Sequence, residues 1–280
     1  TSFNYNAAAN TDDGSCIAVV SGCTDSLALN FNPLANTDDG FCCGATLPIL
    51  FGTQLGQDIN GEAANDWSGQ SVALSADGAT LAIGAPDNDG SGTNAGHVRV
   101  YKNVAGSWSQ IGQDINGEAA NNYSGTSVSL SADGSTVAIG AHGNDGNGSL
   151  SGHVRVYQNV AGTWVQIGQD INGEAAADRS GISVSLSADG ATLAIGAYAN
   201  DGNGSNSGHV RVYQNVAGSW SQIGQDINGE AAGDYSGRSV SLSADGATLA
   251  IGANENNGNG AGSGHVRVYQ NVVGTWTQIG

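Results

Sequence analysis

The chain has 280 residues, 45 of them Gly, with three Pro, no Met and 11% charged side chains, a turn-dense composition that speaks for an all-β fold and against a helical bundle. Seven Lys plus Arg against 25 Asp plus Glu give a net charge of −18, a surface that repels nucleic-acid phosphates and anionic membranes and attracts divalent cations. No stretch reaches the roughly 18 consecutive apolar residues of a membrane helix, so neither nucleic acid nor membrane insertion is expected.

Residues 1–46 form the first predicted unit. "NYNAAANTDDGSC" (4–16) returns as "NFNPLANTDDGFC" (30–42), a shift of 26 residues (30 − 4). All four cysteines, Cys16, Cys23, Cys42 and Cys43, lie here, which predicts a small disulfide-stapled module and an oxidising, extracellular setting. Cys23 with Cys42 is the preferred pair, leaving Cys16 for Cys43 or for a cysteine upstream; three connectivities stay open. The absence of an initiator Met and of a signal peptide suggests a processed protein or a segment of a longer one. Asn4, Asn6, Asn10, Asp12 and Asp13, with Asn30, Asn32, Asn36, Asp38 and Asp39 in the second copy, concentrate oxygen ligands on short loops. Their spacing is not that of an EF-hand, yet a module with little core needs a staple or a metal, so Ca²⁺ is expected here first.

From residue 47 a longer repeat takes over. "GQDINGEAA" occurs at 56–64, 112–120, 168–176 and 224–232, a period of 56 that divides the chain into units 57–112, 113–168, 169–224 and 225–280. Each unit reads as four strands, in the first copy "SVALS" (71–75), "TLAIGA" (80–85), "HVRVY" (97–101) and "WSQIGQDI" (108–115). Apolar residues alternate along them, and "SADGA", a Gly/Asn-rich loop and "NVAG" supply the turns. With about eleven sizeable apolar side chains, one unit cannot hold a sheet alone, so neighbouring copies must cover its faces. Stacked four-stranded sheets are the blades of a β-propeller. "Q-[IL]-G" occurs five times, at Gln54, Gln110, Gln166, Gln222 and Gln278, while the other strands occur four times. The spare strand implies missing blades or pairing with another copy.

Several polar groups recur. The carboxylates of "DINGE" (Asp58 and Glu62, then every 56 residues) fit Ca²⁺ or, preferably, a turn whose Glu pairs with the repeat's regular Arg. His97, Arg99 and Tyr101 share one strand face, as do their copies, and are expected to pack against the next blade rather than to bind zinc or glycan. Trp108, Trp164, Trp220 and Trp276 are expected in the core, with the indole N–H satisfied. The Gly/Asn loops, with Asp87, Asp89, Asp145, Asp201 and Glu255, carry too little charge for tight calcium and differ most between copies, so they are the candidate recognition residues.

The segment "SGQSVALSADGATLAIGAPDNDGSGTNAGHVRVYKNVAGSWSQIGQDINGEAA" resembles the FG-GAP repeat, the blade of integrin α-subunit propellers and of many secreted bacterial proteins, over residues 53–280. The resemblance implies a β-propeller, usually of seven blades. The chain departs from it in carrying "SG" for "FG" in every copy, "GAP" in the first copy alone, and "SADG" where the integrin calcium loop is longer and acidic; that calcium site does not carry over. The cysteine module is similar to "GCTD…NYNP.A..DDGSC" repeats of large secreted Bacteroidota proteins, which implies export and surface display.

No nucleophile elbow, HExxH or phosphate loop is present, and nearly every polar group recurs in each copy, whereas an enzyme needs one asymmetric constellation. The sequence therefore predicts a non-catalytic structural or adhesive protein of the cell surface, a filament or stalk subunit whose partners are other copies of itself or neighbouring repeats. The alternative is a glycan-binding propeller using its variable loops.

Overall fold

The computed structural model describes residues 20–22, 24, 32–38 and 54–280. The chain divides into two compact units, Thr1–Gln54 and Leu55–Gly280. In the first, Ser21–Gly22 and Thr37–Asp38 pair in parallel. The side-chain oxygen of Asn36 accepts from the Val20 amide at 3.0 Å and that of Asn32 from the Leu34 amide at 3.0 Å, so both proposed calcium ligands cap backbone. The four cysteines, Asn4, Asn6, Asn10, Asp12, Asp13, Asn30 and Asp39, and the side chain of Asp38, lie outside the described residues.

The second unit is four antiparallel sheets, one per repeat. Sheet 1 contains Ser71–Leu74, Thr80–Ala85, His97–Val104 and Ser107–Gln110 in that order, and sheets 2 and 3 repeat it 56 and 112 residues on. Sheet 4 contains Ser236–Leu242, Thr248–Ala253, His265–Val272 and Thr275–Gln278. There is no helix among the described residues. The all-β propeller blade is therefore the observed element, and the second strand has the predicted bounds. The predicted fourth strand breaks in two: Ser107–Gln110 and Ile115–Asn116 both pair with the third strand, at Tyr101↔Gln110 and Val98↔Ile115. Four residues then stand opposite two, and Gly112, at φ 74°, takes up the excess in a left-handed conformation that costs other residues energy.

The first strands of successive sheets lie side by side. Along them the Ala76 amide donates to Ala132 O, Ala132 to Ala188 O and Ala188 to Ala244 O, each at 2.8 Å, so the "SADG" turns are linked in series. Ser71, Ser127 and Ser183 each donate a hydroxyl to the carbonyl of the next repeat's Gly125, Gly181 or Gly237 at 2.7–2.8 Å. The core lies between sheets: Ala82, Val98, Val100 and Ile115 of sheet 1 pack on Leu130, Val137, Ile139, Tyr157 and Trp164 of sheet 2, and the pattern repeats twice. Val98, Val154 and Val210 are 0% exposed, whereas Val266, at the same position of sheet 4, is 66% exposed. A following sheet, and not the strand's own sheet, buries that face.

Among the described residues the spare "QLG" at 54–56 is not a strand. Leu55 O accepts from Trp108 Nε1 at 3.0 Å, as Ile111 O does from Trp164 at 2.9 Å, so the segment serves repeat 1 as the preceding joint serves repeat 2.

Candidate functional site

The joint "DINGE" is built as the sequence suggests, with one reversal. Arg155 donates from Nη2 to Asn116 O at 2.7 Å, its Nη1 stands 3.5 Å from Glu118 Oε1, and its guanidinium lies 5.5 Å above the Tyr157 ring. Asn116 ends the short strand of sheet 1 and Glu118 lies just beyond it, so the His-Arg-Tyr face of sheet 2 meets the preceding blade and not the next. Strand alternation requires this, because Val154 and Val156 occupy the face toward sheet 3. Trp164, 3% exposed, is core as expected, its N–H satisfied across the joint. The joints also gather Glu62, His97 and Asp114, Glu118, His153 and Asp170, and Glu174, His209 and Asp226, three groups whose ligand atoms lie within 4.8 Å of one another and that could hold a metal ion.

The acidic loop residues do other work. Asp89, Asp145 and Asp201 accept from the amides of Asn94, Leu150 and Asn206 at 2.7–2.8 Å, which fixes each loop on itself. Glu255 accepts from Asn254 Nδ2 at 3.1 Å. Asp87 alone of the five lines a pocket shared by the four repeats.

That pocket, of about 460 Å³, lies where the first strands begin and the second strands end, and all four repeats contribute to it. Three sets of equivalent positions line it: 67 and 123 before the first strand, 70, 126, 182 and 238 beside it, and 86, 142 and 198 after the second strand, with Asp87 next to Pro86; 179 and 235 are the counterparts of 67 and 123 in repeats 3 and 4. Within repeats that are otherwise nearly identical, these positions read Trp67, Tyr123, Arg179, Tyr235; Gln70, Thr126, Ile182, Arg238; and Pro86, His142, Tyr198. Residues 67, 123, 179 and 235 all have φ between 54° and 57°, a left-handed conformation rare for large side chains and frequent at binding sites. The strain is held by main-chain bonds: the Tyr123 amide donates to Asn94 O of the preceding repeat, and Tyr123 O accepts from the Thr126 amide.

Trp67 is 61% exposed, an aromatic face open to solvent. Tyr123 stacks on His142 with centroids 5.3 Å apart, Tyr198 meets Tyr235 edge-on at 5.6 Å, and Arg238 lies 4.9 Å over Tyr198. His142 Nδ1 shares a 2.9 Å hydrogen bond with Thr126 Oγ1. Burial, then Arg179 and Arg238, pulls His142 down to about 4, so its ring is neutral at pH 7. Burial, then Asp89, raises Asp87 above the usual carboxylate range. The arrangement offers aromatic platforms, a guanidinium and neutral hydrogen-bonding groups around one concave space, the makings of a site for a polar ring-shaped ligand.

Sequence reading names the loop residues as recognition candidates and, apart from Asp87, does not single out the residues that line this pocket. The signal was present: aligned on the period, "DWSGQ", "NYSGT", "DRSGI" and "DYSGR" (66–70 and its copies) differ in their large side chains inside a nearly invariant frame.

The FG-GAP repeat family matches residues 60–101, 116–157 and 172–213. No curated protein matches the chain. Among solved structures, the chain is similar to a candidate 6-phosphogluconolactonase from Bacteroides uniformis, at 15% identity over 74% of this chain and 52% of that one with a TM-score of 0.52. It is similar also to a protein from Lactobacillus plantarum (16%, 75% and 54%, 0.51) and to the periplasmic gluconolactonase of Pseudomonas aeruginosa (20%, 75% and 56%, 0.50). The chain spans about half the length of these structures. The likenesses show the fold. They also correct the expectation of a non-catalytic chain, since two of these structures carry enzyme names. Repetition was a poor reason for that exclusion: where the copies diverge, their side chains meet in one asymmetric constellation.

Proposed function

We propose, for a chain built of FG-GAP repeats that stack as propeller blades, that the shared pocket binds carbohydrate outside the cytoplasm, with Arg238 selecting a sugar that carries an acidic group. The observation that carries this reading is the convergence of Trp67, Tyr123, Tyr198 and Arg238, the large side chains in which near-identical repeats differ, on one pocket. Aromatic faces stack on the apolar face of a pyranose, and Gln70, Thr126 and Asp87 supply hydrogen bonds at its rim. In a chain of net charge −18, a guanidinium turned into a pocket is the group that makes an anionic ligand acceptable. FG-GAP repeats and the periplasmic neighbour support the location. In this reading the repeats are a rigid frame, and contact with surface glycans is the adhesive act.

A glycan array, followed by calorimetry on the strongest hit, tests the proposal. Trp67→Ala should weaken binding about tenfold, roughly 1.4 kcal/mol, and Arg238→Gln should weaken acidic glycans more than their neutral counterparts. A silent array, or affinities indifferent to both substitutions, would remove the reading. Turnover of a sugar lactone, measured in the same series, would make the pocket an active site.

A further inference from the structure

The joints between sheets hold side chains that the pocket does not use. At the second joint, Glu118 leaves the short strand of sheet 1, His153 opens the third strand of sheet 2, and Asp170 precedes that sheet's own short strand, Ile171–Asn172. His153 Nδ1 stands 3.7 Å from Glu118 Oε2, and the equivalent pairs, His97 with Glu62 and His209 with Glu174, stand 3.7 and 3.6 Å apart. A hydrogen bond between nitrogen and oxygen wants about 2.7–3.2 Å, so these contacts are too long to be one. His153 is 1% exposed, and its Nδ1 has no hydrogen-bond partner; at His209, also 1% exposed, the ring nitrogen without a partner is Nε2. A buried ring nitrogen facing a carboxylate at this distance is unsatisfied as it stands.

The spacing has another meaning. Two ligands held about 2.0–2.2 Å from a tetrahedral zinc stand roughly 3.4 Å apart, close to the distance from His to Glu, and the third ligand atom lies within 4.8 Å of both. One oxygen of each carboxylate is already engaged. Glu118 turns Oε1 toward Arg155 and Oε2 toward His153, while Asp170 Oδ1 accepts from Gln166 Nε2 at 2.8 Å. The Glu118 side chain is 41% exposed, which gives an ion a way in and leaves room for water as a fourth ligand. The donor set decides the metal: one imidazole nitrogen with two carboxylates suits zinc, whereas calcium asks for about 6–8 oxygens. Two carboxylates against one arginine also leave the site net negative before the ion arrives.

We propose that the three joint groups, Glu62/His97/Asp114, Glu118/His153/Asp170 and Glu174/His209/Asp226, are zinc sites, each tying one joint to the next through the third strand of the sheet between them. The fourth joint pairs Glu230 with His265 at 3.6 Å in the same way.

Equilibrium dialysis of the chelator-stripped chain against zinc chloride or calcium chloride at pH 7, with metal analysis, reads the stoichiometry. The wild-type chain should take up three zinc ions more than a variant carrying His97→Gln, His153→Gln and His209→Gln, a difference that discounts any zinc held by the cysteines. Asp170→Asn alone should lose one zinc. Thermal melting of the unsubstituted chain gives a readout free of folding defects: zinc should raise the midpoint and calcium at the same concentration should not. A wild-type chain whose melting point zinc leaves unmoved, or a zinc count unchanged in Asp170→Asn, overturns the proposal.

Discussion

Gly140→Ala puts the stacking of sheets to a quantitative test, because the chain carries its own control. Gly140 lies in the second strand of sheet 2, and a Cβ added there would fall within the van der Waals envelope of Gly181 O and Ser127 Oγ, with the Gly181 carbonyl carbon only 2.9 Å away. Carbon atoms prefer about 3.5–4.0 Å, so sheets 2 and 3 would have to part by roughly 1 Å, backbone against backbone. That movement also strains the 2.8 Å bond from Ser127 Oγ to Gly181 O. Overpacking costs about 1–3 kcal/mol and the lost hydrogen bond about 1 kcal/mol, so Gly140→Ala should cost about 3 kcal/mol. Gly252 occupies the same position in sheet 4, where the added Cβ meets the rotatable Ser239 hydroxyl and nothing else closer than 3.7 Å. Gly252→Ala should therefore lie within about 1 kcal/mol of wild type, the more so because alanine orders a strand at less entropic cost. Urea titration followed by fluorescence of the buried tryptophans measures both, and with a slope of about 1–3 kcal/mol per molar the two midpoints should separate by about 1 M or more. Equal midpoints would refute the reasoning, since the cost would then belong to the strand and not to contact between sheets.

Three further outcomes are expected. Trp164→Ala, at a residue 3% exposed, should cost about 3–5 kcal/mol, while Trp108→Ala, at a residue only half-buried, should cost less than half as much in the same titration. In the hairpin turn of repeat 2, hydrogen bonds from the Ser131 hydroxyl and then the Ser135 amide hold Asp133 below the ordinary value of 3.8. The unfolded chain therefore binds the proton first as pH falls. The stability this carboxylate contributes is full above about pH 4 and drains away below it, so Asp133→Asn should flatten the acid limb of a series of melts between pH 2 and 6. Because His142 stays neutral down to about 4, carbohydrate affinity of an Asp87→Asn variant, which removes the pocket's raised carboxylate, should be the same at pH 5 and pH 8; a tenfold change across that interval, by calorimetry, would contradict the assigned charge state.

Strand positions were legible because the forces that set them are local. Alternation of Val98 and Val100 with Arg99 and Tyr101 needs no knowledge of neighbours, and "SADG" closes a hairpin in any context. The Arg-to-Glu pairing was legible too, since a single regular cation per repeat leaves the Glu of "DINGE" few alternatives. The sense of stacking was not, because a period of two says that a strand has two faces without saying which neighbour covers each. The break in the fourth strand hid behind a continuous "WSQIGQDI", since a Gly inside a strand pattern signals a bulge only weakly. The pocket was invisible for a different reason: its residues lie 56 apart in sequence, and what marks them is disagreement between copies, which a search for shared motifs passes over.

The left-handed residues before each first strand carry one more consequence. Trp67, Tyr123, Arg179 and Tyr235 reach the same backbone conformation with three different side chains, because the main-chain bonds that impose it are indifferent to what the Cβ carries. Each repeat thus behaves like a tool holder with an exchangeable bit. A duplicated array of this kind can alter what it recognises by a point change in one copy while leaving every inter-sheet contact intact, so specificity and stability can drift independently along the same chain.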